Sequence, residues 1–366
     1  MKRTISRLIQ EKVLFLGQRK YTQAPVTLRQ LHFCSALVYR QHGHPHDTVR
    51  IEEMALPALG KHSVRLKMLA APVNPADINM LQGTYPILPM FPAVGGNEGV
   101  GEVVEVGSEV TALRPGDWAV PWDAGFGTWR TEAICEAGDL LRVPRNIPLL
   151  GAATIGVNPC TAYRMLHDFI SLRPGMTVIQ NGANSAVGQA VIQIAASLGV
   201  KTVNIIRDRP NRHKLENELK LMGADFVITE EELEGLTLDN IIQELPKPVL
   251  GLNCVGGRSG GLVLASLCDG GTLVTYGGMA KKTLQVPAKA LIFKNITLQG
   301  FWLTQWKRNN HEADVRGLQA MVSSVCDLMK SGQLRPPECV QVPFHRYCQA
   351  LQATVQSQRK KHVLLI

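Results

Sequence analysis

The stretch that decides the fold is residues 176–206, which read MTVIQNGANSAVGQAVIQIAASLGVKTVNII. Its first five residues form an apolar run, residues 186–198 place apolar side chains at helical spacing, and residues 201–206 form a second apolar run. This alternation is typical of a strand, a helix and a parallel strand, because the helix returns the chain to the same end of the sheet. We therefore predict a doubly wound, parallel-sheet α/β domain around this unit.

Apolar runs at residues 225–229, 248–253 and 271–276 continue the same alternation downstream. An amphipathic helix is predicted over residues 315–329, and a short strand at 362–366. Upstream, short alternating stretches are separated by glycine and proline, which predicts a compact β-rich domain. The length of 366 residues also exceeds what one hydrophobic core usually supports. Two domains are therefore expected.

The turn between the first strand and the helix is suited to phosphate, although its glycine pattern is weak. The three glycine positions of a G-x-G-x-x-G pattern hold Ala183, Ser185 and Gly188. Small residues there let backbone N–H groups approach a phosphate at the positive end of the helix dipole. We expect a dinucleotide cofactor to bind at this turn.

The residues after the second strand indicate which dinucleotide binds. NAD-dependent enzymes place Asp or Glu there to bind the ribose 2′-hydroxyl, whereas this sequence has Arg207-Asp208-Arg209. Two guanidinium groups suit a 2′-phosphate through charge-assisted hydrogen bonds. Asp208 leaves a choice open, since it could orient the arginines or bind a 2′-hydroxyl. We predict NADPH rather than NADH.

Basic charge is concentrated at the start of the sequence. Residues 1–33 contain seven basic residues and one acidic residue, and so carry +6 of the net charge of +9. An Arg- and Lys-rich, acid-poor segment with interleaved apolar residues is typical of a mitochondrial transit peptide, with a disordered basic tail as the alternative. The remaining +3 gives little support to nucleic-acid binding, and no apolar window is long enough for a membrane span.

The eight cysteines form no metal-binding or disulfide pattern. None of them lies in a C-x-x-C pair, and none clusters with another. This spacing argues against a structural zinc site and against a disulfide framework. We expect most of them to be small core residues.

Nine longer segments of the sequence have a recognisable pattern: residues 67–79, 92–99, 127–132, 156–164, 178–188, 207–209, 253–257, 275–279 and 300–303. Together they resemble the medium-chain dehydrogenase/reductase superfamily, and within it the zinc-free mitochondrial 2-enoyl thioester reductases. The resemblance implies a transit peptide (1–33), a GroES-like catalytic domain (34–155), a Rossmann NADPH-binding domain (156–302) and a C-terminal return that completes the catalytic domain (303–366). It also implies a homodimer and a cleft between the two domains.

Two asparagines argue against a catalytic metal in this sequence. Zinc-dependent members of the superfamily use a Cys early in the catalytic domain and the His of a G-H-E segment. This sequence has Asn74 at the first position and Asn97, between Gly96 and Glu98, at the second. Neutral amides are poor zinc ligands, so we predict a reaction without metal.

Reduction of a conjugated alkene needs a proton as well as a hydride, and without a metal a side chain or water must donate it. Tyr85 lies in a loop, Gln82-Gly83-Thr84-Tyr85-Pro86, where functional residues are more common than in strands or helices. A tyrosine near its usual pKa of about 10 is protonated at neutral pH and can donate. The resemblance assigns this tyrosine as the proton donor; packing against the next proline is the alternative.

The resemblance also implies the cofactor-binding residues. They are Asn158, Asn184, Ser185, Ala186, Val187, Arg207, Asp208, Arg209, Tyr276, Gly277, Gly278, Met279, Phe301, Trp302, Leu303 and Lys361. Trp302 could instead be an aromatic wall of the cleft or a plain core residue. The implied substrate is a trans-2-enoyl thioester, on CoA or on an acyl carrier protein, reduced for fatty acid synthesis in the mitochondrial matrix. No nucleic-acid partner and no membrane insertion are expected.

Three other interpretations remain open at this point. A zinc-free quinone or enone reductase would share the cofactor domain and lack the metal ligands. A non-enzymatic NADPH-binding protein would also keep the fold, although intact Tyr85, Asn158 and the arginine pair argue against a degenerate site. A zinc alcohol dehydrogenase is disfavoured by Asn74 and Asn97. The sequence fixes neither the acyl chain length nor the choice between CoA and carrier protein.

Overall fold

The computed structural model describes residues 32–235, 238, 243–313, 315–358 and 360–366, so nearly all of the predicted transit peptide lies outside the described residues. The strands are β1 (Phe33–Tyr39), β2 (Arg50–Ala55), β3 (Ser63–Pro72), β4 (Ala93–Val94), β5 (Val100–Val106), β6 (Trp118–Pro121), β7 (Glu132–Glu136), β8 (Leu140–Val143), β9 (Thr177–Asn181), β10 (Lys201–Ile206), β11 (Phe226–Thr229), β12 (Leu250–Asn253), β13 (Thr272–Thr275), β14 (Thr297–Gly300), β15 (Cys339–Pro343) and β16 (Lys361–Leu365). The helices are α1 (Pro45–Thr48), α2 (Pro75–Leu81), α3 (Leu149–Thr154), α4 (Asn158–Asp168), α5 (Ala186–Ser197), α6 (Arg212–Leu221), α7 (Glu230–Gly235), α8 (Gly257–Ala265), α9 (Ala288–Ile292), α10 (Leu303–Ala313), α11 (Val315–Lys330) and α12 (Tyr347–Val355).

The predicted strand–helix–strand unit forms the centre of a six-stranded parallel sheet. In the order β11-β10-β9-β12-β13-β14, the strands that follow β9 in the chain first extend the sheet on one side of β9 (β10, β11) and then on the other (β12 to β14). This change of side is typical of doubly wound dinucleotide-binding folds. All five residues of β9 are buried, because helices cover both faces of such a sheet. The change of side opens a crevice at the carboxyl ends of β9 and β12.

The β-rich part of the chain forms two antiparallel-dominated sheets. One has the order β2-β1-β4, and the other has the order β15-β16-β3-β5-β6-β8, with β7 also paired to β3. Strand β16 pairs antiparallel with β3, with Val363 opposite Pro72. The C-terminal segment is thus hydrogen-bonded to the N-terminal sheet, although the domain limits at residues 156 and 303 stay predictions.

A continuous hydrophobic core connects the parallel sheet with the β-rich sheets. Val178 of β9 and Val100 of β5 belong to the same buried cluster. Helix α11 adds Leu318, Met321 and Val325 to it, so the predicted apolar stripe of this helix packs inward. Within the described residues, no helix combines the length and the apolar character needed to cross a membrane.

Strand β1 overlaps the end of the predicted leader by one residue, and the sequence of β2 has no clear strand pattern. Strand β1 begins at Phe33, which pairs with Ala55, although residue 33 was the last of the predicted leader. Strand β2 reads RIEEMA and has little apolar alternation. It lies at a sheet edge with exposed or half-exposed side chains, so its backbone pairing rather than its apolar content defines it.

Candidate active site

Buried polar side chains connect the carboxyl ends of neighbouring strands in the parallel sheet. Asn181, the last residue of β9, donates from Nδ2 to Oδ1 of Asn253 at 2.9 Å, and Asn253 donates to Oγ1 of Thr275 at 3.2 Å. Oδ1 of Asn181 also accepts the backbone N–H of Cys254 at 2.7 Å. These bonds fix the loops that follow the strands, at the switch point where α/β sheets bind ligands.

The turn before α5 depends on Gly188. A Cβ at this position would lie 2.5 Å from the carbonyl oxygen of Ala183, so only glycine lets the helix pack this closely on the turn. The Oγ of Ser185 accepts the N–H of Gly188 at 3.1 Å and caps the helix. A short, capped turn at a helix N-terminus is a ready site for a phosphate.

The arginine pair follows β10 directly, beside this turn in the sheet order. Arg207 and Asp208 are exposed, and Arg209 is half-buried. Oδ1 of Asp208 accepts the backbone N–H of Arg209 at 2.8 Å. One oxygen of the carboxylate is therefore bonded to the backbone of its own loop.

A cavity of about 190 Å³ brings residues of the parallel sheet and of the β-rich part together. The parallel-sheet side contributes Val187, Tyr276, Phe301 and Trp302, and helix α10 contributes Leu303, Thr304 and Lys307. The other side contributes Asn74, Tyr85, Asn97, Trp122 and Asp123, with Val157 and Thr161 from the start of α4. The cavity therefore collects the predicted proton donor and several predicted cofactor residues in one cleft.

Tyr85 and Trp302 meet in this cavity. The Nε1–H of Trp302 donates to Oη of Tyr85 at 2.9 Å, and the two rings stand edge to face with centroids 6.0 Å apart. Burial raises the pKa of Tyr85 above its usual value, although the bonds from Trp302 and Thr304 act in the opposite direction. The phenol is therefore protonated at neutral pH, and its O–H remains a donor because the indole uses only an acceptor lone pair.

The positions of the lost zinc ligands hold a buried polar network. The Nδ2 of Asn74 donates to Oε2 of Glu98 at 2.8 Å, and Oδ1 of Asn74 accepts from the Lys361 ammonium. The other oxygen of Glu98, Oε1, accepts the backbone N–H of Val157 at 2.7 Å. The side-chain nitrogen and oxygen of Asn74 are thus both hydrogen-bonded within the protein. Among the described residues, no group of three or more His, Cys, Asp or Glu side chains could hold a metal ion.

Asn97 connects helix α2 with the loop that forms one wall of the cavity. Its Nδ2 donates to Oδ1 of Asp77 at 2.7 Å, and its Oδ1 accepts the backbone N–H of Gly125 at 2.7 Å. Burial is the main cause that raises the pKa of Asp77 to about 7, and nearby Glu98 adds to it. The N–H groups of Asn74 and Asn97 lower that pKa in turn.

Helix α10 closes the cavity from the opposite side. Nη2 of Arg308 lies 2.9 Å from Oδ2 of Asp123, and the His311 ring stacks on Trp122 with centroids 4.0 Å apart. Lys307, one position earlier, donates from Nζ to the carbonyl oxygen of Gly156 at 2.8 Å. A single helix therefore contacts two separate loops of the β-rich side.

The predicted site residues fall into three groups in the structure. Those in the cavity lining are Tyr85, Val187, Tyr276, Phe301, Trp302 and Leu303. Those next to it along the chain or through a bond are Asn158, Asn184, Ser185, Ala186, Gly277, Gly278, Met279 and Lys361. The third group, Arg207, Asp208 and Arg209, lies outside the cavity at the end of β10.

Sequence reasoning missed Trp122, Asp123, Thr304 and Lys307, which also line the cavity. No spacing could have revealed them, since Asp123 and Arg308 are 185 residues apart in the chain. The only available signal was their closeness to recognised segments, since α10 begins directly after Trp302.

Two family models match the chain in the order that the fold requires. Residues 60–145 match the alcohol dehydrogenase GroES-like domain, and residues 186–320 match the zinc-binding dehydrogenase family. The first match covers most of the β-rich region, and the second covers most of the parallel sheet. The predicted combination of a GroES-like domain and a Rossmann domain is therefore confirmed.

Curated relatives and solved structures narrow the family. The human mitochondrial enoyl-(acyl-carrier-protein) reductase is 55% identical over 320 residues, which is 87% of this chain and 85% of that protein. The Arabidopsis thaliana enzyme of the same name is 44% identical over 86% of this chain and 83% of its own length. A mutant enoyl thioester reductase from Candida tropicalis is 34% identical with a TM-score of 0.84, and covers 92% of this chain and all of its own.

Another solved structure is a complex of Etr1p with NADP and crotonyl-CoA, 33% identical with a TM-score of 0.84, over 92% of this chain and 100% of its own. A quinone oxidoreductase from Pseudomonas syringae, at 22% identity and a TM-score of 0.76, shares the fold alone. The identity of 55% with the human reductase, over most of both chains, far exceeds the 22% identity with the quinone oxidoreductase. This chain belongs to the family of mitochondrial enoyl-(acyl-carrier-protein) reductases.

Proposed function

We propose that the protein reduces the carbon–carbon double bond of trans-2-enoyl thioesters with NADPH, as a step of mitochondrial fatty acid synthesis. The observation that carries this proposal is the Tyr85–Trp302 hydrogen bond inside a cleft that both parts of the fold line. The family, in which relatives bear this activity in their names, supports the same substrate class. A double bond conjugated to a thioester is an electrophile that can be reduced in such a cleft, because a cofactor on one side and a phenol on the other can deliver a hydride and a proton.

The residues on the parallel-sheet side fit a dinucleotide. Gly188 lets helix α5 pack closely on the turn at Ala183, and Ser185 and the α5 N-terminus offer polar groups for a pyrophosphate. Nδ2 of Asn158 is buried without a hydrogen-bond partner among the described residues, as expected for a donor that awaits a cofactor carbonyl. Arg207 and Arg209 would bind the 2′-phosphate, and bound NADPH would supply the hydride to the β-carbon of the substrate.

The proton is the contribution of the protein itself. We propose that Tyr85 donates its hydroxyl proton to the α-carbon after hydride has reached the β-carbon. Trp302 would hold the phenol oxygen at 2.9 Å and thereby direct its O–H toward the substrate. The raised pKa of Tyr85 keeps that proton in place at neutral pH.

NADPH oxidation measured with trans-2-hexenoyl-CoA, trans-2-hexenoyl-carrier protein and a benzoquinone tests this proposal. We expect turnover with the thioesters and little with the quinone. Turnover with the quinone and none with either thioester would favour the enone or quinone reductase instead. The ratio between the two thioesters decides whether an acyl carrier protein is the partner.

We propose a homodimer through the exposed edge of the parallel sheet. Strand β14 lies at the end of the sheet order, and all four of its residues are exposed. Ile292 and Phe293, just before it, are 70% and 80% exposed. An unpaired edge with large apolar neighbours is a surface that a second copy can cover. Light scattering should give twice the chain mass, and a monomer mass would contradict this proposal.

The protein is a mitochondrial enzyme, in agreement with the location in the names of its relatives. We propose that residues 1–33 direct its import and that cleavage occurs close to the start of β1. N-terminal sequencing of protein recovered from mitochondria would show this cleavage. A mature chain that still begins at Met1 would contradict it.

A further inference from the structure

A buried lysine lies in the cleft without an assigned role. Lys307 is 6% exposed, and it is one of the residues that line the same cavity as Tyr85 and Trp302. Its Nζ donates to the carbonyl oxygen of Gly156 at 2.8 Å. An ammonium carries three N–H donors, and Gly156 uses one of them. Burial of such a charge costs free energy, so its retention in a reaction cleft calls for a reason.

No ion pair explains the position of Lys307. The acidic groups that face it are Glu98, before β5, and Asp123, after β6, with the Cys160 thiol on α4. Both oxygens of Glu98 already accept N–H groups, and Asp123 pairs with Arg308. Within the described part of the chain, no carboxylate forms an ion pair with Lys307. The ammonium therefore has donors left for a group that enters the cavity.

The proposed reaction creates a charge that such a donor would stabilise. As a C–H bond forms at the β-carbon, the π electrons shift through the α-carbon to the thioester oxygen, which gains negative charge. When the Tyr85 proton forms the C–H bond at the α-carbon, the O–H bond breaks and the negative charge passes from the thioester oxygen to the phenol oxygen, which a proton from water then restores. A fixed cation beside the oxygen lowers the barrier between these steps, because water is excluded and the donor is already oriented.

We propose that Lys307 donates a hydrogen bond to the thioester carbonyl oxygen and stabilises the enolate. This inference rests on the proposed function. Lys307 is then a catalytic residue with a role distinct from that of Tyr85: one group stabilises the oxygen and the other protonates the carbon.

The Lys307→Met variant tests the inference, since methionine keeps the unbranched stem and removes the charge. We expect kcat with trans-2-hexenoyl-CoA to fall by about 10²–10³, as for loss of an oxyanion donor. The Kd for NADPH, measured by fluorescence titration, should stay within about twofold. The matched control is Lys294→Met, because Lys294 also donates to main-chain carbonyls, those of Ala265 and Leu267, but outside the cleft. It should leave kcat unchanged.

A pH profile of kcat tells whether the charge of Lys307 acts in the reaction or whether the side chain only forms a structural hydrogen bond to Gly156. Burial lowers the pKa of Lys307, while Cys160, Glu98 and Asp123 raise it in part. Wild-type kcat should fall as the pH rises through this lowered pKa, because the ammonium is lost. Lys307→Arg should move that fall to higher pH, since a guanidinium stays charged, whereas Tyr85→Phe should not move it.

The outcomes distinguish this inference from the proposed function. Wild-type turnover together with near-normal kcat in Lys307→Met overturns the role of Lys307 and leaves the proposed function intact. Absence of wild-type turnover with any enoyl thioester overturns both. Where Lys307→Met does not fold, the Arg variant decides: an alkaline limb identical to that of wild type overturns the inference.

Discussion

The two sides of the cleft are built by different means. On the cofactor side, one continuous segment supplies the strand, the turn and the helix, and buried amides such as Asn181 and Asn253 join adjacent strand ends. On the opposite side, the groups come from separate loops: Asn97 holds Gly125, and Arg308 holds Asp123. The strand, turn and helix of the cofactor side are therefore set by local sequence, whereas the joined strand ends and the reaction side are assembled only after distant segments have come together.

From this difference we expect that variants on the two sides affect different properties of the enzyme. Changes on the reaction side should affect turnover and leave cofactor affinity unchanged, because its residues are fixed by their own contacts. Changes at the strand ends of the parallel sheet should affect cofactor affinity and leave the proton donor in place. Variants that follow this division support it, and mixed effects would break it.

The largest effect is expected for Tyr85→Phe. We expect kcat to fall by about 10²–10⁴, because a general acid is lost while the ring still packs against Trp302. Steady-state kinetics and NADPH titration would measure the two sides independently. Tyr163→Phe is the matched control, since Tyr163 stacks on His167 away from the cavity. Near-normal kcat in Tyr85→Phe would place the acid elsewhere, with a water near Asn158 as the next candidate.

The next effect concerns the cofactor side alone. Changing both Arg207 and Arg209 to Ala should weaken NADPH binding by about 3 kcal/mol, or roughly 10²-fold, since the lost hydrogen bonds are charge-assisted but partly exposed to water. The affinity for NADH should change little. Lys214→Ala, an exposed lysine on α6, serves as the control for general loss of positive charge. Equal losses for both cofactors would show that the arginines do not bind the 2′-phosphate.

Asn97→Ala tests the wall of the reaction side. We expect the free energy of unfolding to fall by about 1–3 kcal/mol, because buried Asp77 loses a hydrogen bond and the Gly125 loop loses its anchor. Urea denaturation would measure the loss, with Asn211→Ala as control, since Asn211 forms no side-chain cap. Unchanged stability would mean that the amide does not hold the loop.

The same variant should alter the pH dependence of stability. Asp77 has its pKa raised from 3.8 to about 7 in the folded protein, so between these values the native state holds a proton that the unfolded state has released. Stability therefore falls as the pH rises from about 4 to 7 and changes no further from this group above that range. Asn97→Ala keeps the backbone N–H bond to Oδ1 of Asp77 and removes only the Nδ2 donor. Loss of a donor to the carboxylate should raise the pKa of Asp77 further, so the fall should extend to higher pH.

The smallest effect is expected for Trp302→Phe. The aromatic contact with Tyr85 is kept and one hydrogen bond is lost. The activation free energy should therefore rise by about 0.5–1.5 kcal/mol, which lowers kcat roughly 2- to 12-fold. In a Tyr85→Phe background the same change should have almost no effect on kcat. Equal effects in both backgrounds would show that Trp302 acts through packing or through the cofactor instead.

How much of the molecule could be predicted follows the same division. The periodicity of residues 176–206 predicts the parallel sheet, and it also predicts that the two arginines follow its second strand, where the structure has them. Asn74 and Asn97 were recognised only as missing ligands, because nothing local shows that they bond to Glu98, Lys361 and Asp77. No sequence pattern marks Lys307, because its position in the cleft depends on a helix that contacts a distant loop at Gly156.

Helix α10 has a mechanical consequence for the reaction cycle. Trp302 directly precedes it, and Lys307 and Arg308 anchor it to Gly156 and Asp123. Because Trp302 and Lys307 belong to one continuous segment, a shift of α10 moves the indole and the ammonium together. A misplacement of about 1 Å can cost 10²-fold in rate. Turnover should therefore depend on the contacts that hold α10 in place as well as on the side chains that it brings into the cavity.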